Sequence, residues 1–170
     1  RQMAVLLPTD VAEPDDAGFV QALASSTLKI LKKTRGKAFV LFTSYRTMNE
    51  VYEKTRKALE GAGFLVFKQG DASRRSLLDR FKCDIHSILF GTESFWEGVD
   101  VPGEALECVV ISKLPFKVPS DPIVRARLER LKMNGEDPFT AYSLPSAAMK
   151  LRQGVGRLIR NKSDRGIVVI

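Results

Sequence analysis

The sequence has little of what several chemistries require. Its 170 residues contain two cysteines and one histidine. Cys83 and Cys108 are far apart and form no CxxC, which argues against a disulfide framework or a thiolate zinc site. His86 stands alone in a strand-like stretch, so a histidine-based triad has little support. No apolar run approaches the roughly 18 residues that span a bilayer. Arg1-Gln2-Met3 has neither signal nor transit character, and a cytoplasmic chain without membrane contact is expected. Phosphate-binding signatures also fail on inspection. Gly36-Lys37-Ala38 lacks the upstream Gly and closing Ser/Thr of a P-loop. Gly154-Val155-Gly156 is followed by Ile159 where a dinucleotide fingerprint needs a third small residue. No acidic metal box accompanies either, so a metabolic enzyme with a complete cofactor site in this chain is disfavoured.

What is present suits one globular domain over residues 1–170, with 44% hydrophobic residues and a length that buries a sizeable core. A start at Arg1 and a stop inside the strand pattern Gly166-Ile167-Val168-Val169-Ile170 suggest a piece excised from a longer protein. Lys and Arg number 27 against 20 Asp and Glu, a net charge of +7, and much of that excess falls in the last 60 residues. Such a balance favours a polyanionic partner, nucleic acid or nucleotide.

Periodicity alternates helix and strand. Asp15 and Asp16 open a helical pattern through Phe19, Val20, Leu23, Leu28, Ile30 and Leu31, ended by Gly36. Lys37 to Phe42 is a near-continuously apolar strand, as expected where both faces are covered. Thr43-Ser44 supplies cap chemistry for a helix from Thr47 to Glu60, and Gly61 and Gly63 stop it. Phe64 to Phe67 is the next strand. Ser73 caps a helix to about Lys82, and strands follow at His86–Phe90, Leu106–Ile111 and Ile167–Ile170. A proline-containing stretch over 115–144 carries a polar helix near Pro122 to Lys132. This alternation predicts an α/β three-layer domain, with a mostly parallel central sheet between helices. Ligands of such sheets gather at the carboxyl ends of the strands.

Three segments fall at those ends. Thr43-Ser44-Tyr45-Arg46 offers hydroxyls and helix-start N–H groups to an anion, although capping alone would explain the hydroxyls. Gly91 to Gly103 is rich in Gly and small hydroxyl residues and holds Glu97, Asp100 and the only Trp. A turn with a packed Trp96 does not account for Glu97, Gly98 and Asp100 together. In Gln153-Gly154-Val155-Gly156-Arg157-Leu158-Ile159-Arg160, a continuous helix would place Gln153, Gly156, Arg157 and Arg160 on one face and turn Val155, Leu158 and Ile159 to the core. Two guanidiniums beside a side-chain-free position suit a phosphate. A basic helix end explains the arginines but neither Gln153 nor the glycines.

In order, TSY after a strand, GTESFWEGVDVPG after a later strand and QGVGRLIR before a last strand resemble motifs IV, V and VI of superfamily 2 helicases. The version is that of the DinG/XPD-like DNA helicases, and Leu114-Pro115-Phe116 points to the bacterial DinG type. The likeness runs from Leu6-Leu7-Pro8-Thr9 to Ile170. It implies the second RecA-like motor domain of a two-domain translocase moving 5′ to 3′, with ATP in the interdomain cleft. The N-terminal helicase domain of the same chain would carry the P-loop and hold Mg2+, so the fragment alone should be inactive.

Residue by residue, the resemblance implies that Gln153, Arg157 and Arg160 form the catalytic motif VI, its arginines acting as fingers on the γ-phosphate. Glu97, Gly98, Asp100 and Gly156 would contact or couple to the nucleotide. Thr43, Ser44, Tyr45, Thr92 and Lys113 would meet single-stranded DNA, with Lys117 and Arg125 adding charge. Gln69-Gly70 falls where the family has a further short motif. The 4Fe-4S cluster of many family members needs four cysteines and is not in this segment. The alternative is a non-motor nucleic-acid-binding module derived from a helicase fold.

Overall fold

The computed structural model describes residues 2–9, 11–96, 101, 106–156, 158–159 and 164–170. Six parallel strands form one sheet: β1 (Met3–Leu6), β2 (Ala38–Leu41), β3 (Leu65–Lys68), β4 (Ser87–Gly91), β5 (Cys108–Ile111) and β6 (Gly166–Val169), in the spatial order β1-β6-β5-β2-β4-β3. Among the described residues five α-helices accompany them: α1 (Phe19–Thr34), α2 (Tyr45–Glu60), α3 (Arg74–Cys83), α4 (Pro122–Met133) and α5 (Leu144–Val155).

The direction in which the chain steps across the sheet decides which face each helix covers. Crossovers between parallel strands are right-handed, so steps in opposite directions put their helices on opposite faces. The β1-to-β2 and β2-to-β3 steps run one way, and α1 and α2 share a face. Steps from β3 to β4 and from β5 to β6 run back, and α3 and α5 pack on the other side. Side chains of β2 obey the two-residue period of a strand. Ala38, Val40 and Phe42 join Phe19, Leu23, Met48, Val51 and Leu59 in one core layer. Phe39 and Leu41 join Leu77, Phe81, Trp96 and Leu158 in the other.

Several boundaries differ from the sequence expectation, each for a local reason. Helix α1 begins at Phe19 rather than at Asp15, because 13–18 is folded into turns closed by Asp16 N–H to Glu13 O and Phe19 N–H to Asp16 O; its N-cap Gly18 offers no side chain. Helix α2 begins at Tyr45, two residues early, because Ser44 rather than Thr43 is its N-cap and accepts from the Thr47 N–H at 3.2 Å. Ser73 caps α3 as expected. No alternation marks strand β1 in the sequence, because its four residues are all exposed. His86 lies just before β4, where its Nδ1 is 3.2 Å from the Arg35 carbonyl oxygen. None of the described helices is long and apolar enough to cross a membrane.

Candidate nucleotide and nucleic-acid site

The carboxyl ends of β2, β3 and β4 are neighbours, and they carry three of the segments singled out above. The ladder continues past the strands, with Phe42 N–H donating to Gly91 O at 2.9 Å and Gln69 N–H to Phe90 O at 2.8 Å. This brings Tyr45, Gln69 and Thr92 together. Gln69 Oε1 accepts from both the Thr92 N–H (2.6 Å) and the Thr92 hydroxyl (3.0 Å), while its Nε2 donates to Tyr45 Oη. A backbone N–H can only donate, so the amide orientation is fixed by Thr92. Thr92 is 4% exposed, with its proton committed to Gln69, so its side chain is interior support rather than surface. Tyr45 is 56% exposed and accepts from Gln69, which leaves its own O–H to donate outward. Thr43 and Ser44 are exposed beside it, and Arg46 is tied to Glu50 at 2.9 Å. The family resemblance puts Gln69 in a short motif; its bridging of Thr92 to Tyr45 has no signal in the sequence, because it depends on the β2-β4-β3 strand order.

Trp96 follows the 3-10 turn Glu93–Phe95 and is buried against the other end of the chain. Its Nε1 donates to Phe42 O at 3.4 Å, and its ring lies on Gly154. The continuous helix expected through Arg160 does not form. Helix α5 ends at Val155, with Gly156 as C-cap and the Gly156 N–H donating to Arg152 O at 2.8 Å. Beyond the interruption Leu158 is buried in the core, where it packs on Gly166 at the start of β6. Val155, Leu158 and Ile159 do face the core, as expected. Gln153 is exposed on the last turn of α5, and the Gly156 position is exposed beside it. Arg157, Arg160, Glu97, Gly98 and Asp100 lie outside the described residues.

The remaining cations separate by environment. Lys113, expected on the DNA track, is half-buried; its ammonium donates to Pro14 O at 3.3 Å and lies 5.0 Å from the Phe19 ring centroid. It closes the loop before α1 onto the end of β5. Arg125 is exposed and pairs loosely with Glu129 at 3.8 Å. Lys117 is exposed and donates to Tyr142 Oη at 3.1 Å. That hydrogen bond, helped by the charges of Lys117 and Arg127 and opposed by partial burial, holds the Tyr142 phenol below its ordinary range. Among the described residues no group of three or more His, Cys, Asp or Glu could hold a metal ion.

Residues 27–170 match the family described as helicase C-terminal domain. The chain is 40% identical over 169 residues to the ATP-dependent DNA helicase YoaA of Haemophilus influenzae, covering 99% of this chain and 26% of that protein. It is 36% identical over 174 residues to the 3′-5′ exonuclease DinG of Bacillus subtilis, covering 99% of this chain and 19% of that protein. The chain thus spans about a quarter or less of the curated relatives it matches. An XPD helicase structure superimposes with a TM-score of 0.75 at 18% identity, over 98% of this chain and 31% of that one, a likeness of fold. Xpd4 of S. tokodaii gives 0.69 at 19% identity, over 99% of this chain and 33% of that one. Parallel RecA-like sheet, motif order and family match agree: the chain belongs to the helicase C-terminal domain family, as the C-terminal domain of a DinG-like helicase.

Proposed function

We propose that this domain is the second motor domain of an ATP-dependent DNA helicase moving 5′ to 3′ on single-stranded DNA. Its N-terminal helicase domain would bind most of ATP and hold Mg2+, and the cleft between the domains would be the site of hydrolysis. Arg157 and Arg160 are assigned the role of arginine fingers, with Gln153 beside them and Gly156 leaving room. Such a finger contributes on the order of 10³–10⁵ in rate by stabilising charge on the transferring phosphoryl group. Glu97, Gly98 and Asp100 are assigned to coupling between nucleotide and DNA. Thr43, Ser44 and Tyr45 would hold the DNA backbone through hydroxyls and the N-terminal N–H groups of α2. By this reading the domain alone hydrolyses ATP negligibly.

The observation that carries the reading is the packing of Trp96 on Gly154. It joins the segment after β4 to the segment before β6, so a shift at one is felt at the other. The test is ATP hydrolysis by the full-length protein, with and without single-stranded DNA, in wild type and Arg157→Ala. Strong DNA stimulation that collapses in the variant while DNA binding persists is the expected result. Binding without DNA-stimulated hydrolysis in the wild type would instead identify a non-motor module.

A further inference from the structure

A cleft of about 360 Å³ opens beside the start of α2, within the range of roughly 300–1,000 Å³ typical of small-ligand sites. Thr43, Trp96, Phe116, Lys117, Tyr142 and Lys150 are among the residues that line it. Phe116 is 39% exposed and pairs with the exposed Phe139 at a centroid distance of 5.8 Å. These rings belong to neither core layer, so packing of the domain does not account for them. Around them are cations: Lys117 Nζ and the Arg127 guanidinium lie 5.4 Å and 5.5 Å from the Tyr142 ring centroid.

We propose that this cleft is a stacking site for one nucleobase of single-stranded DNA. Exposed aromatic faces flanked by fixed positive charge are the recurring means of holding unpaired bases, because every base has a π-face and a nearby phosphate. Position supports the assignment. Thr43 both lines the cleft and opens the hydroxyl segment assigned to the DNA backbone, so a nucleotide anchored there would reach the cleft that Phe116 also lines. A polar handle is also present. An ammonium has donors only, so Tyr142 Oη accepts from Lys117 and keeps its O–H for a base carbonyl or ring nitrogen.

The inference rests on the reading of the domain as part of a DNA track, and the experiment separates the two. Affinity of the full-length protein is measured for an oligothymidylate and for an abasic oligomer of equal length. Wild type is expected to prefer the first, and the Phe116→Ala/Tyr142→Ala variant to lose roughly 5- to 140-fold on it. That range is about 1–3 kcal/mol of base stacking at 1.4 kcal/mol per decade. Abasic binding should hold steady. Equal losses on both oligomers would signal damage to the fold, and Phe116→Leu, which keeps bulk without a ring face, then decides: a selective loss on thymidylate supports the site and an unchanged preference overturns it. Intact binding with no effect of the alanine pair overturns the stacking site and leaves the motor reading standing. Failure of the wild type to bind either oligomer overturns both.

Discussion

Gly154 lies so close to Trp96 that a methyl group added there would sit 2.9 Å from the indole Cε3. Alanine in place of a helical glycine would normally gain about 1 kcal/mol of helix propensity. Here the methyl meets the buried Trp96 ring, and overpacking of this kind costs about 1–3 kcal/mol. Gly154→Ala should therefore lower the denaturant midpoint despite its better propensity. Trp96→Leu should partly relieve the clash, giving a double variant more stable than the sum of single effects predicts. Strictly additive losses would show that the two residues are not coupled.

The Thr92–Gln69–Tyr45 chain has a defined polarity, and that polarity can be reversed. In Gln69→Glu the carboxylate only accepts, so the Tyr45 O–H turns inward and ceases to be a donor for DNA. Tyr45→Phe in the wild-type background should weaken single-stranded DNA binding by about five-fold, the worth of one hydrogen bond near 1 kcal/mol. In the Gln69→Glu background the same substitution should change nothing further. A full second loss there would mean that Tyr45 meets DNA through its ring instead.

Two lysines expected to share one role should behave differently with salt. Each phosphate neutralised by a lysine adds roughly 0.7 to the slope of log affinity against log salt on a single strand. Lys117→Ala should lower that slope by about this amount. Lys113→Ala should leave it unchanged, because its ammonium serves Pro14 and Phe19. It should instead loosen the loop before α1, seen as faster hydrogen exchange at Asp16 and Phe19.

The contrast between Lys113 and Ser73 marks the boundary of what the sequence holds. Ser73 acts on an N–H three residues away, and such caps are written in local order. The buried strand Ala38–Leu41 is equally legible, since a run apolar on both faces has few other uses. Lys113 acts on Pro14, 99 residues earlier, and charge at a strand end does not reveal such a partner. Likewise the glycines of the Gln153–Arg160 segment were legible as unusual. Only the packing shows that Gly154 yields to Trp96, and that the helix stops at Gly156.

The two cysteines offer a check on the core itself. Cys108 is buried in β5 with its thiol pushed up to about 12, mainly by loss of hydration and only partly offset by a hydrogen bond with Thr34; Cys83 is exposed at the end of α3. Thiolate is the reactive form, so a thiol reagent at neutral pH should label Cys83 alone in the native protein. Cys108 should react only after unfolding. The same burial links stability to pH. A folded-state value raised above the unfolded one stabilises fully below the unfolded value near 9 and is lost as pH rises towards about 12. Cys108→Ala should therefore flatten the alkaline limb of the stability curve relative to wild type. Rapid native labelling at both positions would show that β5 is not sealed between the two core layers.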